Sequence, residues 1–101
     1  MEIKLLVKIH ESSRKVVAMC DSNLLGKKFV EGNLQLEINN HFYEGKEMSE
    51  EEIEKLISVL EKDSPSYNIV GEKSIGLFLK KNLILKEGAK KIAGVPYAMI
   101  F

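Results

Sequence analysis

Asn68-Ile-Val-Gly-Glu-Lys-Ser74 sets a glycine, a lysine and a serine between an apolar pair and a helical pattern. These residue types can hold an anion at a helix start, where backbone N–H groups are unpaired and the helix dipole is positive. The spacing matches neither of two familiar phosphate loops. A Walker loop places one glycine directly before the lysine and another five residues earlier; here Glu72 intervenes and position 66 is serine. The clamp of a KH domain needs G-x-x-G, and Gly71-Glu-Lys-Ser74 lacks the second glycine. Two readings stay open. Lys73, Ser74 and the free amides could converge on an anion, or Gly71 simply permits a tight entry while Glu72 complements the dipole.

Cys20 is the candidate nucleophile, with Asp21 beside it and His10 and His41 elsewhere in the chain. A catalytic thiol needs a lowered pKa and an oriented base, whereas a neighbouring aspartate raises it. Alternation places Cys20 with Val16 and Ala18, facing inward as a structural cysteine. His10, His41, Cys20 and Asp21 lack close metal-ligand spacing, so neither a metal nor another cofactor is expected. Glu50, Glu51 and Glu52 crowd a helix start, which accounts for them without catalysis. Phe42, Tyr43, Tyr67 and Tyr97 fall at loops or strand starts, where bases of single-stranded RNA are stacked. Lys73, Lys80, Lys81, Lys90 and Lys91 could supply the basic groove beside them; alternatively the rings close the core.

These groups must be positioned by one domain, residues 1–101, with 45% apolar residues and two prolines. No apolar run approaches membrane-spanning length, the N-terminus lacks a signal-peptide core, and one cysteine allows no internal disulfide. A cytoplasmic location is expected. The basic residues are fourteen lysines and one arginine, a bias shared by hyperthermophile proteomes and AT-rich genomes. Net charge is zero, but residues 1–63 carry nine basic and thirteen acidic side chains, and residues 64–101 carry six lysines against Glu72 and Glu87. A neutral total argues against a protein that coats naked nucleic acid and leaves a local basic face.

Residues 2–10 alternate, with Ile3, Leu5, Val7 and Ile9 on one side, as in a half-buried strand. The polar turn Glu11–Arg14 leads to a second strand, Lys15 to Asp21, forming a hairpin. Asp21 or Ser22 can cap the short turn Asn23-Leu-Leu. Leu34 to Ile38 is the cleanest alternation, and Phe42-Tyr43 reads as a brief extended piece. Met48-Ser-Glu-Glu-Glu-Ile53 carries a capping box and a hydrophobic staple, and Ile53, Leu56, Ile57 and Leu60 form one helical stripe that ends near Asp63-Ser-Pro65. A second helix from Gly71 or Glu72 to Asn82 puts Ile75, Phe78, Leu79 and Asn82 on one face. Its other face holds Lys73, Leu77, Lys80 and Lys81. The C-terminus reads as a strand, a Gly94-Val-Pro96 bend and a last strand with Tyr97, Met99 and Phe101 on one side.

Three stretches, Met19-Cys-Asp-Ser-Asn-Leu-Leu-Gly26, Asn68-Ile-Val-Gly-Glu72 and Gly94-Val-Pro-Tyr-Ala98, resemble those of a small archaeal family catalogued as domain of unknown function number 424. With the element order between them the resemblance covers nearly the whole chain. It implies an archaeal cytoplasmic protein without an assigned activity, and a link to translation.

The expected architecture is α+β: a mostly antiparallel sheet from the N-terminal hairpin, residues 33–39 and the C-terminal strands, with two helices packed on one face. The leading functional expectation is a non-catalytic module contacting RNA or a ribonucleoprotein, with Asn68, Gly71, Lys73, Ser74, Lys80, Lys81 and Tyr97 as binding residues. The alternatives are a protein–protein adaptor or homodimer using Leu77, Phe42 or a strand edge, and a small-molecule enzyme with a pocket near Gly71 and Tyr97.

Overall fold

The computed structural model describes residues 4–11 and 13–101; Ile3 of the first alternation and Ser12 of the first turn lie outside them. Strands β1 (Leu5–His10) and β2 (Val16–Asp21) form the expected antiparallel hairpin. A 3-10 turn, Ser22–Leu24, leads to β3 (Lys28–Glu31) and β4 (Leu34–Glu37), which form a separate two-stranded sheet, and then to α1 (Asn40–Tyr43). Next come β5 (Lys46–Met48), α2 (Glu50–Leu60), β6 (Ser66–Val70), α3 (Glu72–Lys80), β7 (Lys90–Ile92) and β8 (Val95–Ile100). The main sheet has the order β5-β1-β2-β6-β8-β7. Its central pair, β2 and β6, is parallel, and the other pairs are antiparallel.

The two longer helices pack on one face, as the stripes predict. Ser49 caps α2 by accepting from the Glu52 amide while the Glu52 carboxylate accepts from the Ser49 amide. Ile53, Ile57 and Leu60 of α2, with Ile75, Leu77 and Phe78 of α3, bury Leu5, Val7, Val17, Met19, Tyr67, Ile69 and Ala98 of the sheet. Leu77 is therefore not on an outward face. Helix α3 lies against both the sheet and α2, so its apolar stripe must be wider than one interface requires.

Further expectations are corrected. Residues 33–39 do not join the main sheet; they belong to the β3–β4 hairpin, which folds over its second face. There Ile38, Tyr43, Leu36 and Phe29 cover Leu6, Ala18, Cys20 and Val70 in a second core. Strand β1 is accordingly buried on both sides at Leu5, Leu6 and Val7 rather than half-buried. Phe42-Tyr43 is helical, because Asn39 accepts from the His41 amide and starts α1. Finally, Ser66–Val70 is a full central strand that alternation did not reveal. Its Tyr67 and Ile69 face the helices and its Ser66, Asn68 and Val70 the other side, an alternation too short to stand out before Gly71 and the helical pattern.

Candidate functional site

Where β2 and β6 end, the chain leaves to opposite sides. From Asp21 it turns into Ser22–Leu24, whose Leu24 and the following Leu25 pack into the second core. From Val70 it enters α3 on the helical face. Two adjacent parallel strands whose connections diverge open a crevice at their carboxyl ends, where ligands of open α/β sheets bind. Here the crevice is a cleft of about 320 Å³, lined by Asp21, Asn23, Leu24, Gly71, Glu72, Lys73, Gly94, Val95 and Pro96. It draws together the three stretches that carry the family resemblance, although they are far apart in sequence.

The floor of the cleft answers the question posed by Gly71-Glu-Lys-Ser74. Asp21 is buried, and its carboxylate accepts from the amides of Lys73 (3.0 Å) and Ser74 (2.9 Å) and from the Ser74 hydroxyl (2.8 Å). The anion at this helix start is supplied by the chain itself. Asp21 thus caps α3 across the sheet rather than the turn that follows it, which has no side-chain cap; Ser22 Oγ instead accepts from the Lys4 amide. Gly71 has φ 112° and ψ 153°, a region in essence closed to other residues. A Cβ there would fall on the Asp21 carboxyl group.

The seven proposed binding residues fall into separate places. Gly71 and Ser74 are buried around Asp21, and Lys73 lines the cleft. Lys80 and Lys81 lie along α2, where Lys81 pairs with Glu54 at 2.9 Å and Lys80 approaches Glu50 at 3.9 Å. The acidic helix thus answers much of the positive charge read from α3. Reversing both charges in Lys80→Glu/Lys81→Glu sets carboxylate against carboxylate. Solvent screening limits the loss to about 1 kcal/mol, a fall in melting temperature of roughly 5 °C. An unchanged thermal melt would show that these pairs do not form in solution.

Asn68 and Tyr97 lie on the second face of the sheet. The register sets Cys20, Val70, Tyr97 and Lys90 in one row across β2, β6, β8 and β7, and Ala18, Asn68 and Met99 in the next. The second core covers Ala18, Cys20 and Val70 and packs against Tyr97, leaving the β6–β8 end of the next row accessible, with Asn68 half-buried and Met99 60% exposed. Tyr97 is half-buried against that core. Among the described residues neither the Asn68 amide nor the Tyr97 hydroxyl has a hydrogen-bonding partner, and no carboxylate pairs with Lys90.

The other aromatic candidates are structural. Tyr43 and Tyr67 are buried, Tyr67 with its ring edge-on to Phe78 at 5.3 Å and its hydroxyl donating to Glu61. Phe42 stacks on His10 at 4.5 Å, and His10 Nε2 donates to the Phe42 carbonyl. Among the described residues no group of three His, Cys, Asp or Glu side chains could hold a metal ion.

Cys20 is fully buried. Burial, reinforced by the Asp21 charge, pushes its thiol from 9.0 up to about 12. Burial likewise raises Tyr43 and Tyr67 from 10.0 to about 12, with smaller contributions from Cys20 to the former and Glu61 to the latter. All three shifts lead away from a nucleophile or base at neutral pH. Because these groups hold their protons more tightly when folded, their contribution to stability is complete below pH 9 and is lost as the pH rises toward 12. Iodoacetamide is therefore expected to leave native Cys20 unmodified at pH 7, and a pH series of melts to fall between pH 9 and 12. Rapid labelling of the native thiol would contradict the buried position.

Fold and cleft together define a mixed-sheet α+β domain with a crevice at the carboxyl ends of its two parallel strands. The chain belongs to the family described as "Protein of unknown function (DUF424)", which matches residues 10–101. It is similar in fold to the "Crystal structure of an uncharacterized conserved protein from Methanopyrus kandleri", at 24% identity and a TM-score of 0.83, over 96% of this chain and 90% of that one. Nothing among curated proteins matches it. Among the described residues no helix is long and apolar enough to cross a membrane.

Proposed function

We propose that the protein is a cytoplasmic archaeal binding module, without catalytic activity and associated with translation, that contacts RNA or a ribonucleoprotein through its C-terminal third. The observation that carries this reading is the open end of the second sheet face. Asn68 and Tyr97 lie diagonal to each other there without internal partners among the described residues, and Lys90 sits across from Tyr97. An aromatic ring, an amide and a cation on a sheet surface are a set that RNA-binding modules use. Lys90 and Lys91 carry the basic character in place of Lys80 and Lys81, which the acidic helix engages. The source is supported by the Methanopyrus neighbour and the lysine-rich composition.

Sedimentation of the native protein through a gradient of source-cell lysate tests the reading. Migration with ribosomal particles at low salt, lost at high salt, is expected of electrostatic docking on RNA. Migration in the light fractions at both salts would remove the link to translation. Lys90→Glu/Lys91→Glu should release the protein from the particles without lowering its melting temperature, since both lysines are exposed.

A second reading, a small-molecule enzyme at the cleft, is favoured by the strand switch between β2 and β6. Tyr97 does not line that cleft, and its buried carboxylate is committed to α3. A metabolite that raises the melting temperature of the native protein but not of Lys73→Glu would support it; no stabilisation across a broad metabolite panel would count against it. For the adaptor or homodimer reading, burial of Leu77 removes one contact, and the sheet edges β5 and β7 are three residues long, short for strand pairing with another chain.

A further inference from the structure

The accessible end of the second sheet face has a geometry that distinguishes among forms of RNA. We infer, resting on the RNA-binding reading above, that the partner is single-stranded RNA, with one unpaired base stacked on Tyr97, its neighbour against Met99, the Asn68 amide on a base edge and Lys90 on the backbone phosphate.

The argument begins with what Tyr97 and Asn68 lack. Asparagine is disfavoured inside strands, yet Asn68 occupies the middle of the central strand β6, with Ala18 on one side and Met99 on the other. Its half-buried amide has no partner among the described residues. A side chain amide offers two donors and an acceptor, the complement of a base edge. Diagonal to it on β8, Tyr97 has one side against the second core and no internal bond for its hydroxyl. Directly opposite positions on neighbouring strands are about 5 Å apart and diagonal ones about 7 Å, so a base lying on Tyr97 has its edge within reach of Asn68.

The choice of single strand follows from the access each form allows. In a duplex every base face is covered by its neighbours and the major groove of A-form RNA is too narrow for side chains. A ring set in a sheet surface can stack only on a base that is already unstacked. Met99, two residues along β8 and about 7 Å away, offers a flexible, polarizable thioether to a second base. Lys90, opposite Tyr97 and exposed, has a stem long enough to place its ammonium at the phosphate joining the two. Lys90 thereby gives this face a cation matched to a polyanion, while Lys91, paired with Pro96, projects from the other face of the same edge strand.

The test compares fluorescence anisotropy of a short, labelled, mixed-sequence single-stranded RNA with that of its blunt duplex, at about 50 and 200 mM salt. The expected result is tighter binding of the single strand. Tyr97→Ala should weaken it about 5- to 100-fold, while Tyr97→Phe, which keeps the ring, stays within about twofold. Lys90→Glu should weaken single strands of any sequence and reduce the salt slope by about 1. Should Tyr97→Ala fail to fold, Asn68→Ala replaces it, with the loss then expected to depend on base identity. Equal or tighter binding of the duplex would overturn the single-strand inference and leave RNA binding standing. Loss of neither variant's affinity would overturn the assigned contacts. Binding of neither RNA would overturn the inference and the functional reading together.

Discussion

Gly71→Ala is expected to destabilise the domain by about 4 kcal/mol, enough to lower its melting temperature by roughly 20 °C. Two causes add. The backbone at Gly71 lies at φ 112° and ψ 153°, where an alanine is strained whatever its surroundings. Its Cβ would also be driven into the Asp21 carboxyl group, which cannot retreat, because it is buried and bonded to three donors of α3. Urea melts read the effect directly. A Gly71→Ala midpoint close to that of the native protein would mean that α3 begins differently from the geometry described.

Asp21→Ala should cost about 3 kcal/mol, or roughly 15 °C. The two amides and the Ser74 hydroxyl lose their acceptor in a place water does not easily reach, and removing an N-cap alone costs about 1 kcal/mol. Asp21→Asn should lie between, since one oxygen still accepts while the NH₂ faces donors. The two sites touch, so their effects should not add. In Asp21→Ala/Gly71→Ala the new Cβ meets no carboxyl group, and the double variant is expected to be at least about 1 kcal/mol more stable than the sum of single losses implies. Additive losses would show that Asp21 does not crowd Gly71.

This pair also explains why the cleft is a defined shape. Asp21 ties the end of β2 to the start of α3, 52 residues later, and the amide of Gly71 donates to the carbonyl of Pro96 at 2.8 Å. Three chain segments therefore meet through backbone and carboxylate bonds, with glycine at the point of closest approach. On the far side, Glu31 of the β3–β4 hairpin accepts from the Ala93 amide at 2.6 Å and holds that hairpin to the β7–β8 turn. Both ties sit at one end of β6 and β8, and the row that carries Tyr97 and then that of Asn68 follow from that end.

Much of the architecture is local and could be read along the chain. Ser49 and Glu52 bracket one turn, so the capping box declares where α2 starts; Ile53, Ile57 and Leu60 declare which face is buried. The β1–β2 hairpin and the placement of Ala98 and Ile100 opposite Tyr97 and Met99 follow from alternation, whereas the bend read over Gly94-Val-Pro96 falls at Ala93-Gly94, and Val95 and Pro96 already belong to β8. The buried Cys20 follows from the same period. What the tertiary structure decided involves partners distant in sequence or burial on two sides. Strand β6 alternates over only Ser66 to Ile69, and its central place shows only once β2 and β8 flank it. Leu77 reads as outward until α2 is laid beside α3, and Lys80 and Lys81 read as a basic face until Glu50 and Glu54 meet them. Nothing near Asp21 says that its carboxylate serves a helix beginning at position 72. Local propensity is written in neighbouring residues, whereas the cap, the ion pairs and the open sheet face exist only once the chain has brought separate segments together.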